Sequence, residues 1–287
     1  YQTGMLCYAP PGHASLEQHI RVQASFGGSH DILSSEEVNS RYPALHIPNG
    51  NISCLTHDSG FLHAALAIRT HVAQARGGGA EVLEQTKVKG IDLTSRLPEV
   101  ETDRGRYRCE HLIITAGPWA GRLLQEIDVP LTVTRQQKFY FTPHQRPPFL
   151  PEHLPVFCDY VSNFYGFPCF GPGVKVADDN LGTITDPVAI NRDINLETQE
   201  MLKQWLEQVM PGARWTEGEF ATCMYTLTPD RDFIIDYHPA HPRVLIGAGF
   251  SGHSFKFSTL IGRILSDLAM AGRTDYPIEP FHLERFR

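Results

Sequence analysis

The clearest chemical pattern in the sequence is a run of glycines near its carboxyl end. Gly247, Gly249 and Gly252 form a G-x-G-x-x-G pattern between a predicted strand and a predicted helix. Glycines in this arrangement let backbone N–H groups approach a pyrophosphate at a helix N-terminus. Only one helix and a short tail follow, and Asp267, where a ribose-binding acid is expected, falls inside the helical pattern. The run therefore predicts a ligand-binding turn, with a plain strand-to-helix turn as the alternative and a complete nucleotide fingerprint disfavoured.

Two lysines and one cysteine stand out for their neighbours. Lys175 ends the segment FGPGVK, and Lys256 lies between Phe255 and Phe257. Because a buried ammonium needs a partner, these apolar neighbours strengthen the case for functional cations, with ordinary surface lysines as the alternative. Cys223 lies in ATCMYT. A lone cysteine of this kind is more often a small buried apolar side chain than a nucleophile.

The elements that must position these residues are of two kinds. Hydrophobic spacing and caps predict helices at 14–24, 60–76, 196–209 and 255–271, and a short one opened by residues 34–37. Alternating or buried runs predict strands at 1–9, 80–83, 88–93, 111–115 and 243–246. Residues 131–180 are rich in aromatic residues, proline and glycine without helical periodicity, which predicts antiparallel strands and loops. The mixture predicts an α/β fold, of the mixed α+β kind, with two interleaved domains.

Composition excludes several classes of protein. The chain has 287 residues, of which 41% are hydrophobic and 20% charged, so disorder, collagen and coiled coil are excluded. Its apolar stretches end well short of the ~20 residues that span a bilayer. A net charge of −7 without a basic block argues against nucleic acid as a main partner. Six cysteines without a C-x-x-C pair predict no metal site, reduced thiols and a cytoplasmic location.

Three separated motifs resemble those of a known family. They are YGFPCFGPGVK at 165–175, CMYTLTPDRDFIIDYHP at 223–239 and GAGFSGHSFKFS at 247–258. In this order and spacing the sequence resembles the monomeric sarcosine oxidase family, which includes N-methyltryptophan oxidase and peroxisomal sarcosine/pipecolate oxidase. The resemblance implies a fold like that of D-amino-acid and glycine oxidases, with an FAD/NAD(P)-binding-type sheet domain at 51–131 and 226–287. An antiparallel-sheet substrate domain would then cover residues 1–50 and 132–225.

The resemblance also implies an activity and a set of site residues. The family oxidises secondary amino acids such as sarcosine, N-methyl amino acids or pipecolate, using FAD and O2 and releasing H2O2, and a monomer is expected. Cys223 matches the covalent flavin anchor, Lys175 the oxygen-activating lysine and Lys256 the lysine that pairs with the substrate carboxylate. Two further residues match aromatic residues that line the family's substrate cavity: Tyr165 and Tyr225. Six match positions that line the cofactor: Gly252, His253, Ser254, Ala116, Gly117 and Val88.

The sequence departs from the family pattern in two respects. The family's first strand, glycine loop and helix, which hold the ADP half of FAD, are not found in this chain, nor are the arginines that follow them. Where the family often has a histidine four residues after the oxygen-activating lysine, this sequence has Asp179. One alternative is therefore a non-enzymatic remnant or subunit that cannot hold FAD alone. A second is a nicotinamide-dependent dehydrogenase, which rests only on the glycine pattern at Gly247–Gly252.

Overall fold

The computed structural model of the protein describes residues 1–125, 127, 129–180 and 182–286. It has the mixed α/β architecture that the sequence predicts, and the chain divides into two compact units. The first unit contains Tyr1–Leu62, Gln136–Gly182 and Asn191–Cys223. The second contains His63–Arg135, Thr183–Ile190 and Met224–Arg287. No helix in these described ranges is both long and apolar enough to cross a membrane.

The α-helices lie close to where the hydrophobic spacing predicts them. They are α1 (Ala14–Ser25), α2 (Ser35–Arg41), α3 (Ala64–Gly77), α4 (Ala120–Leu123), α5 (Leu196–Val209) and α6 (Ser258–Ala271). Short 3-10 helices cover Gly117–Trp119, Pro147–Phe149, Phe255–Phe257, Glu279–Phe281 and Leu283–Phe286.

The strands are more numerous than the sequence predicts. They are β1 (Met5–Ala9), β2 (His30–Ser34), β3 (Ile52–Thr56), β4 (Val88–Asp92), β5 (Glu99–Thr102), β6 (Arg106–Arg108), β7 (Leu112–Ile114), β8 (Thr132–Pro143), β9 (Val156–Asp159), β10 (Phe164–Phe170), β11 (Gly173–Asp178), β12 (Thr183–Ile184), β13 (Trp215–Leu227), β14 (Ile234–His238) and β15 (His241–Ala248).

A large sheet organises the first unit. Its strands follow the order β8-β11-β10-β9-β1-β3-β2. All neighbours in that order are antiparallel except β1 and β9, which are parallel. The two faces carry different residues because side chains alternate along each strand. One face buries a core of Phe139, Phe157 and other apolar side chains against α5, where Trp205 stacks on Phe157 with ring centroids 5.7 Å apart.

Two three-stranded sheets build the second unit. In the first, β15 pairs with β14 in antiparallel and with β7 in parallel fashion; in the second, β5 pairs with β4 and β6. Strand β15 is buried on both faces, since Leu245 packs in the cluster that contains α6 residues Ile261 and Leu265. Its neighbours Val244 and Ile246 pack in a separate cluster with Ile114 of β7.

Several predicted elements match the structure closely. Helix α5 has the predicted bounds, because Leu202, Trp205, Leu206 and Val209 form one buried stripe at helical spacing. Helix α2 begins with the predicted cap: Ser34 Oγ accepts from Glu37 N at 3.2 Å, and Glu37 Oε2 accepts from Ser34 N at 2.7 Å. This reciprocal pair is a capping box, which satisfies two backbone donors that the first turn leaves free.

One predicted element is wrong, and another begins later than predicted. The strand predicted at 80–83 does not form, because these residues are mostly exposed and Ala80 N instead closes the end of α3 by donating to Ala75 O at 2.9 Å. The helix predicted to begin at residue 60 begins at Ala64. Phe61 is instead held by Tyr1, whose carbonyl accepts from Phe61 N at 3.0 Å and whose ring stacks on the Phe61 ring.

The division of the chain also differs from the predicted boundary at residue 51. Residues 52–56 form β3, which lies between β1 and β2 in the sheet of the first unit. Because this strand is held on both sides by strands of that unit, the boundary falls after Leu62.

Candidate active site

Lys175 lies in the middle of an aromatic row on the open face of the first unit's sheet. Its register partners are Phe167 on β10 and Tyr140 on β8, so the three side chains project from the same face. Lys175 Nζ lies 3.5 Å from the centroid of the Phe167 ring and 5.4 Å from that of Tyr165. The strands thus place Lys175 close to Tyr165, with Phe167 as the closest aromatic contact.

The environment of Lys175 weakens its hold on a proton. Burial first, and the positive charge of Lys138 second, lower the pKa of Lys175 to about 8, while Cys223 acts in the opposite direction. In the described part of the chain no carboxylate contributes to this balance. A cation that lacks a carboxylate partner is suited to meet negative charge brought by a ligand.

Cys223 lies on β13, and a buried amide holds the strand beside it. Gln137 Nε2 donates to Thr222 Oγ1 at 2.8 Å, and Gln137 Oε1 accepts from Asn195 N at 2.9 Å. Cys223 itself is exposed as a residue, yet neighbouring atoms exclude part of the water around its thiol. That desolvation raises the pKa of Cys223, and Lys138 and Lys175 oppose it. The thiol is therefore reachable and lies within the influence of two cations.

The glycine run lies in the second unit at the carboxyl ends of two parallel strands. Strands β7 and β15 run side by side with Ile114 opposite Ile246, so the segment after β7 and the run after β15 leave the same edge of their sheet. This edge is where open α/β sheets bind ligands. The run is followed by the 3-10 helix and then α6, and Asp267 lies within α6 in an ion pair with Arg263 at 2.8 Å.

The backbone of the glycine run has a shape that few residues adopt. Gly249, Ser251 and Gly252 have φ values of +62°, +48° and +84°. A Cβ on Gly252 would come within 2.5 Å of the Tyr225 ring, so the structure brings these two predicted residues together. Buried Ser251 anchors the turn, because its N donates to Thr226 O at 2.9 Å. The run is thus a fixed turn with an exposed backbone at Gly252.

The other predicted site residues lie at separate places in the second unit. Lys256 is exposed in the 3-10 helix, with Nζ 5.6 Å from the Phe257 ring centroid. Ala116 and Gly117 directly follow β7, at the same sheet edge as the glycine run. His253 packs on Phe233, and Ser254 precedes the 3-10 helix, whereas Val88 is exposed on β4 in the other sheet.

Sequence reasoning missed Lys138, Tyr140 and Phe167. The alternation in RQQKFYF places Lys138 and Tyr140 on one face of a strand, but only the register of β8 with β11 brings that face to Lys175. Within the described ranges no group of three His, Cys, Asp or Glu side chains is placed to hold a metal ion.

These residues fit a flavin as a bound group. The first unit offers an ammonium without a carboxylate partner, which suits negative charge developed on reduction, and a reachable thiol, which suits covalent attachment to an electrophilic ring. The second unit offers a rigid, exposed glycine turn at the carboxyl ends of parallel strands. A strand-end glycine turn in one unit and a desolvated lysine in the other are each compatible with a cofactor-binding α/β protein.

Comparison with known proteins gives the family. Residues 1–268 match the family described as FAD dependent oxidoreductase, and the chain belongs to that family. It is 35% identical to monomeric sarcosine oxidase from Bacillus sp. (strain B-0618), over 99% of this chain and 75% of that protein. It is 31% identical to N-methyl-L-tryptophan oxidase from Escherichia coli, over 100% of this chain and 77% of that protein. The resemblance read from the three motifs is therefore confirmed.

Solved structures confirm the fold class. L-proline dehydrogenase from P. horikoshii superposes with a TM-score of 0.86 at 21% identity, covering 100% of this chain and 77% of that one. Glycine oxidase from Geobacillus kaustophilus superposes with a TM-score of 0.81 at 20% identity, covering 99% of this chain and 75% of that one.

Proposed function

We propose that the protein is an FAD-dependent oxidase of secondary amino acids, such as sarcosine, other N-methyl amino acids or pipecolate. It would use O2 as the acceptor and release H2O2. The observation that carries the proposal is Lys175, whose ammonium is largely desolvated, lies over aromatic rings and has Cys223 as a nearby thiol. The names of the sarcosine and N-methyltryptophan oxidases that the chain resembles support the substrate class.

Bound FAD would supply the two-electron acceptor for oxidation of the amino acid. The proposed task of Lys175 is to stabilise the negative charge that develops on O2 as it is reduced. No carboxylate is among the groups that shift the pKa of Lys175, so no neighbouring anion of the described residues offsets its positive charge.

The remaining residues are proposed to bind and orient. Lys256 would pair with the substrate carboxylate, since its exposed ammonium contacts only the edge of an aromatic segment among the described residues. Tyr165 in the first unit and Tyr225 in the second are each proposed as substrate-lining positions. Cys223 is proposed as the covalent attachment point of FAD because its thiol is reachable; desolvation raises its pKa, and Lys138 and Lys175 partly offset that rise.

The backbone at the two strand ends is proposed to hold the cofactor. Gly252, His253 and Ser254 after β15, and Ala116 and Gly117 after β7, lie at one edge of a sheet. Exposed glycine backbone there allows close approach of a flat ring or a phosphate. Val88 on β4 is proposed as a further lining position.

A second candidate is a chain that keeps this fold but does not hold FAD alone. It is favoured by helix α3, which has no buried residue and leaves Leu66 and Ile68, on different sides of the helix, each 53% exposed. Most of the stability of a helix in a protein comes from packing of one apolar face. A helix that buries no face adds little to the stability of the unit that carries the glycine run.

One preparation distinguishes the two candidates. The purified protein is scanned for bound flavin absorbance and then assayed for H2O2 release with sarcosine, N-methyltryptophan and pipecolate. The oxidase proposal expects a yellow protein that releases H2O2 with at least one of them. The Lys175→Met variant should retain the flavin but release H2O2 far more slowly. A colourless protein that binds no added FAD supports the second candidate, and a yellow protein inert towards all three amino acids contradicts the proposed substrates.

Acid denaturation of the yellow protein tests the covalent attachment. If Cys223 is the anchor, the colour precipitates with the protein and is lost to the supernatant in Cys223→Ser. Cys109→Ser, which alters a partly buried cysteine of the second unit, serves as the matched control and should retain the colour.

A further inference from the structure

Three cysteines lie side by side on neighbouring strands of the first unit. Cys7 on β1 is the register partner of Cys54 on β3 and of Cys158 on β9. Neighbouring strands are ~4.8 Å apart, which lies within the Cα spacing of ~4.4–6.8 Å that a disulfide bridges. All three cysteines are free thiols in the structure. We call Cys54, Cys7 and Cys158 the thiol row.

A histidine from helix α1 stands over this row. His19 Nδ1 lies 2.8 Å from Tyr160 Oη, and His19 Nε2 lies 3.2 Å from Thr56 Oγ1. Both partners are hydroxyls, which can accept, so a doubly protonated imidazolium is fully hydrogen-bonded in this position. Thr56 lies two residues after Cys54, and Tyr160 two residues after Cys158, so both hydroxyls belong to the face that carries the row.

The charges in this cluster favour an ionised thiol. The Cys158 thiol first, and His19 after it, lower the pKa of Cys7 against the opposing effect of burial. The sulfurs of Cys54 and Cys7 in turn raise the pKa of His19. The pKa of Cys158 is shifted in the opposite direction: its contact with Cys7 and its burial both raise it. Of the two paired thiols, these surroundings favour ionisation of Cys7 and the protonated form of Cys158, and disulfide formation needs such a pairing of a nucleophilic sulfur with a neighbouring thiol.

Solvent reaches the side chains that cover the row. His19 and Tyr160 line an open cavity of about 320 Å³ whose other walls come from α1. Cys7 itself is only 1% exposed, whereas Cys158 is partly exposed. Such burial excludes bulky thiol reagents and favours a small oxidant. The described residues offer no group placed to bind a metal, so the chemistry of the row is that of thiols.

We propose that the thiol row is a peroxide-reactive site at which hydrogen peroxide oxidises Cys7 and Cys158 to a disulfide. The Cys7 thiolate attacks one peroxide oxygen, the O–O bond breaks, and the departing hydroxide takes a proton from His19 to become water. Cys7 is then a sulfenic acid. The Cys158 sulfur attacks it, the S–O bond breaks, and the hydroxyl leaves as water with the Cys158 proton. Two electrons pass from the two sulfurs to the peroxide.

The position of the row connects it to the candidate active site. The register continues from Cys158 on β9 to Tyr165 on β10, whose ring lies 5.4 Å from Lys175 Nζ. A disulfide at Cys158 would therefore form on the strand next to Tyr165. The proposed oxidase activity would produce the oxidant, but the inference does not rest on that activity because peroxide can be added to the flavin-free protein.

The test is to treat the flavin-free protein with a stoichiometric amount of H2O2, block remaining thiols in denaturant and map disulfides by peptide mass spectrometry. The expected result is a Cys7–Cys158 disulfide and the loss of two of the six free thiols. His19→Gln removes a cation that favours ionisation of Cys7. An ordinary thiol is only a few per cent ionised at neutral pH, so disulfide formation should slow on the order of tenfold. The Cys109→Ser control should form it at the wild-type rate.

Other outcomes overturn the proposal. Oxidation of exposed Cys223 or of Cys109 while the row stays reduced would show that the row is an inert apolar contact. A Cys7–Cys54 disulfide would contradict the assigned pair. Because the mapping is made on the unaltered protein, these outcomes do not depend on whether any variant folds.

Discussion

Replacing Lys175 with methionine is expected to make the protein more stable while harming the proposed activity. The Lys175 side chain is desolvated beside Phe167 and in the field of Lys138, and no carboxylate of the described residues compensates for its charge. Methionine has a similar length and no charge, so Lys175→Met removes the cost of holding an ammonium in this place. Residues placed for catalysis often lower the stability of the folded protein, so replacing them can raise stability while activity falls.

The size of the effect follows from the pKa. The value for Lys175 falls from 10.5 to about 8. At ~1.4 kcal/mol per unit, this corresponds to ~3 kcal/mol of unfavourable free energy in the folded protein at neutral pH. Contact of the ammonium with the Phe167 ring offsets ~1–2 kcal/mol. Lys175→Met should therefore raise the free energy of unfolding of the first unit by ~1–2 kcal/mol.

The dependence on pH has a defined sign. Because the pKa of Lys175 is lower in the folded than in the unfolded protein, the folded form loses its proton first as pH rises. Wild-type stability relative to Lys175→Met should thus rise from about pH 8 towards pH 10, where the unfavourable charge disappears. Urea unfolding followed by the fluorescence of Trp205, which stacks on Phe157 in the same unit, measures this difference.

A surface lysine provides the control. Lys203 pairs with Glu217 at 3.0 Å, which raises the pKa of Lys203, so Lys203→Met should be neutral or slightly destabilising. If Lys175→Met lowers the urea midpoint, or if its effect does not shrink with rising pH, the view of Lys175 as a desolvated charge without a partner is wrong.

Three further changes have expected outcomes. Lys256→Ala should weaken binding of a simple carboxylate inhibitor to the flavin-loaded protein by ~2–5 kcal/mol, measured by titration, and unchanged binding would exclude Lys256 as the partner. Gly166→Ala should lower the free energy of unfolding by ~1–3 kcal/mol, since its Cβ would clash with the buried Phe157 ring. Arg285, with smaller help from Asp232 N and Thr228, holds the pKa of Asp230 at about 2, so the wild type should lose the ~1 kcal/mol of this partly exposed pair as pH falls from about 4 towards 2, and Arg285→Ala should lose less in urea titrations.

Local patterns predicted the elements whose partners are near in the chain. Helix α5 was predictable because its buried stripe repeats at helical spacing, and α2 because its cap lies within four residues. The start of α3 was not, because Phe61 takes its backbone partner from Tyr1, sixty residues away. Strand β3 was missed for a similar reason: its five residues become a strand only between β1 and β2.

The candidate site likewise contains residues that the sequence could identify and residues that it could not. Lys175, Tyr165, Cys223 and the glycine run could be found in the sequence because each lies in a motif. The influence of Lys138 could not, because it depends on the register that sets β8 against β11. The thiol row likewise combines residues 7, 54 and 158, which no spacing in the sequence relates. Sheet register is a non-local property, so sequence patterns indicate candidate groups but not their neighbours.

The most direct test of the proposed function is the flavin absorbance of the yellow protein when sarcosine is added without oxygen. A secondary amino acid oxidase should lose its yellow colour on anaerobic mixing and regain it, with H2O2 formed, when air is admitted. N-methyltryptophan and pipecolate should be tried in the same way. If the absorbance stays unchanged with all three while added dithionite bleaches it, the flavin is bound but secondary amino acids are not its substrates, and the account is contradicted.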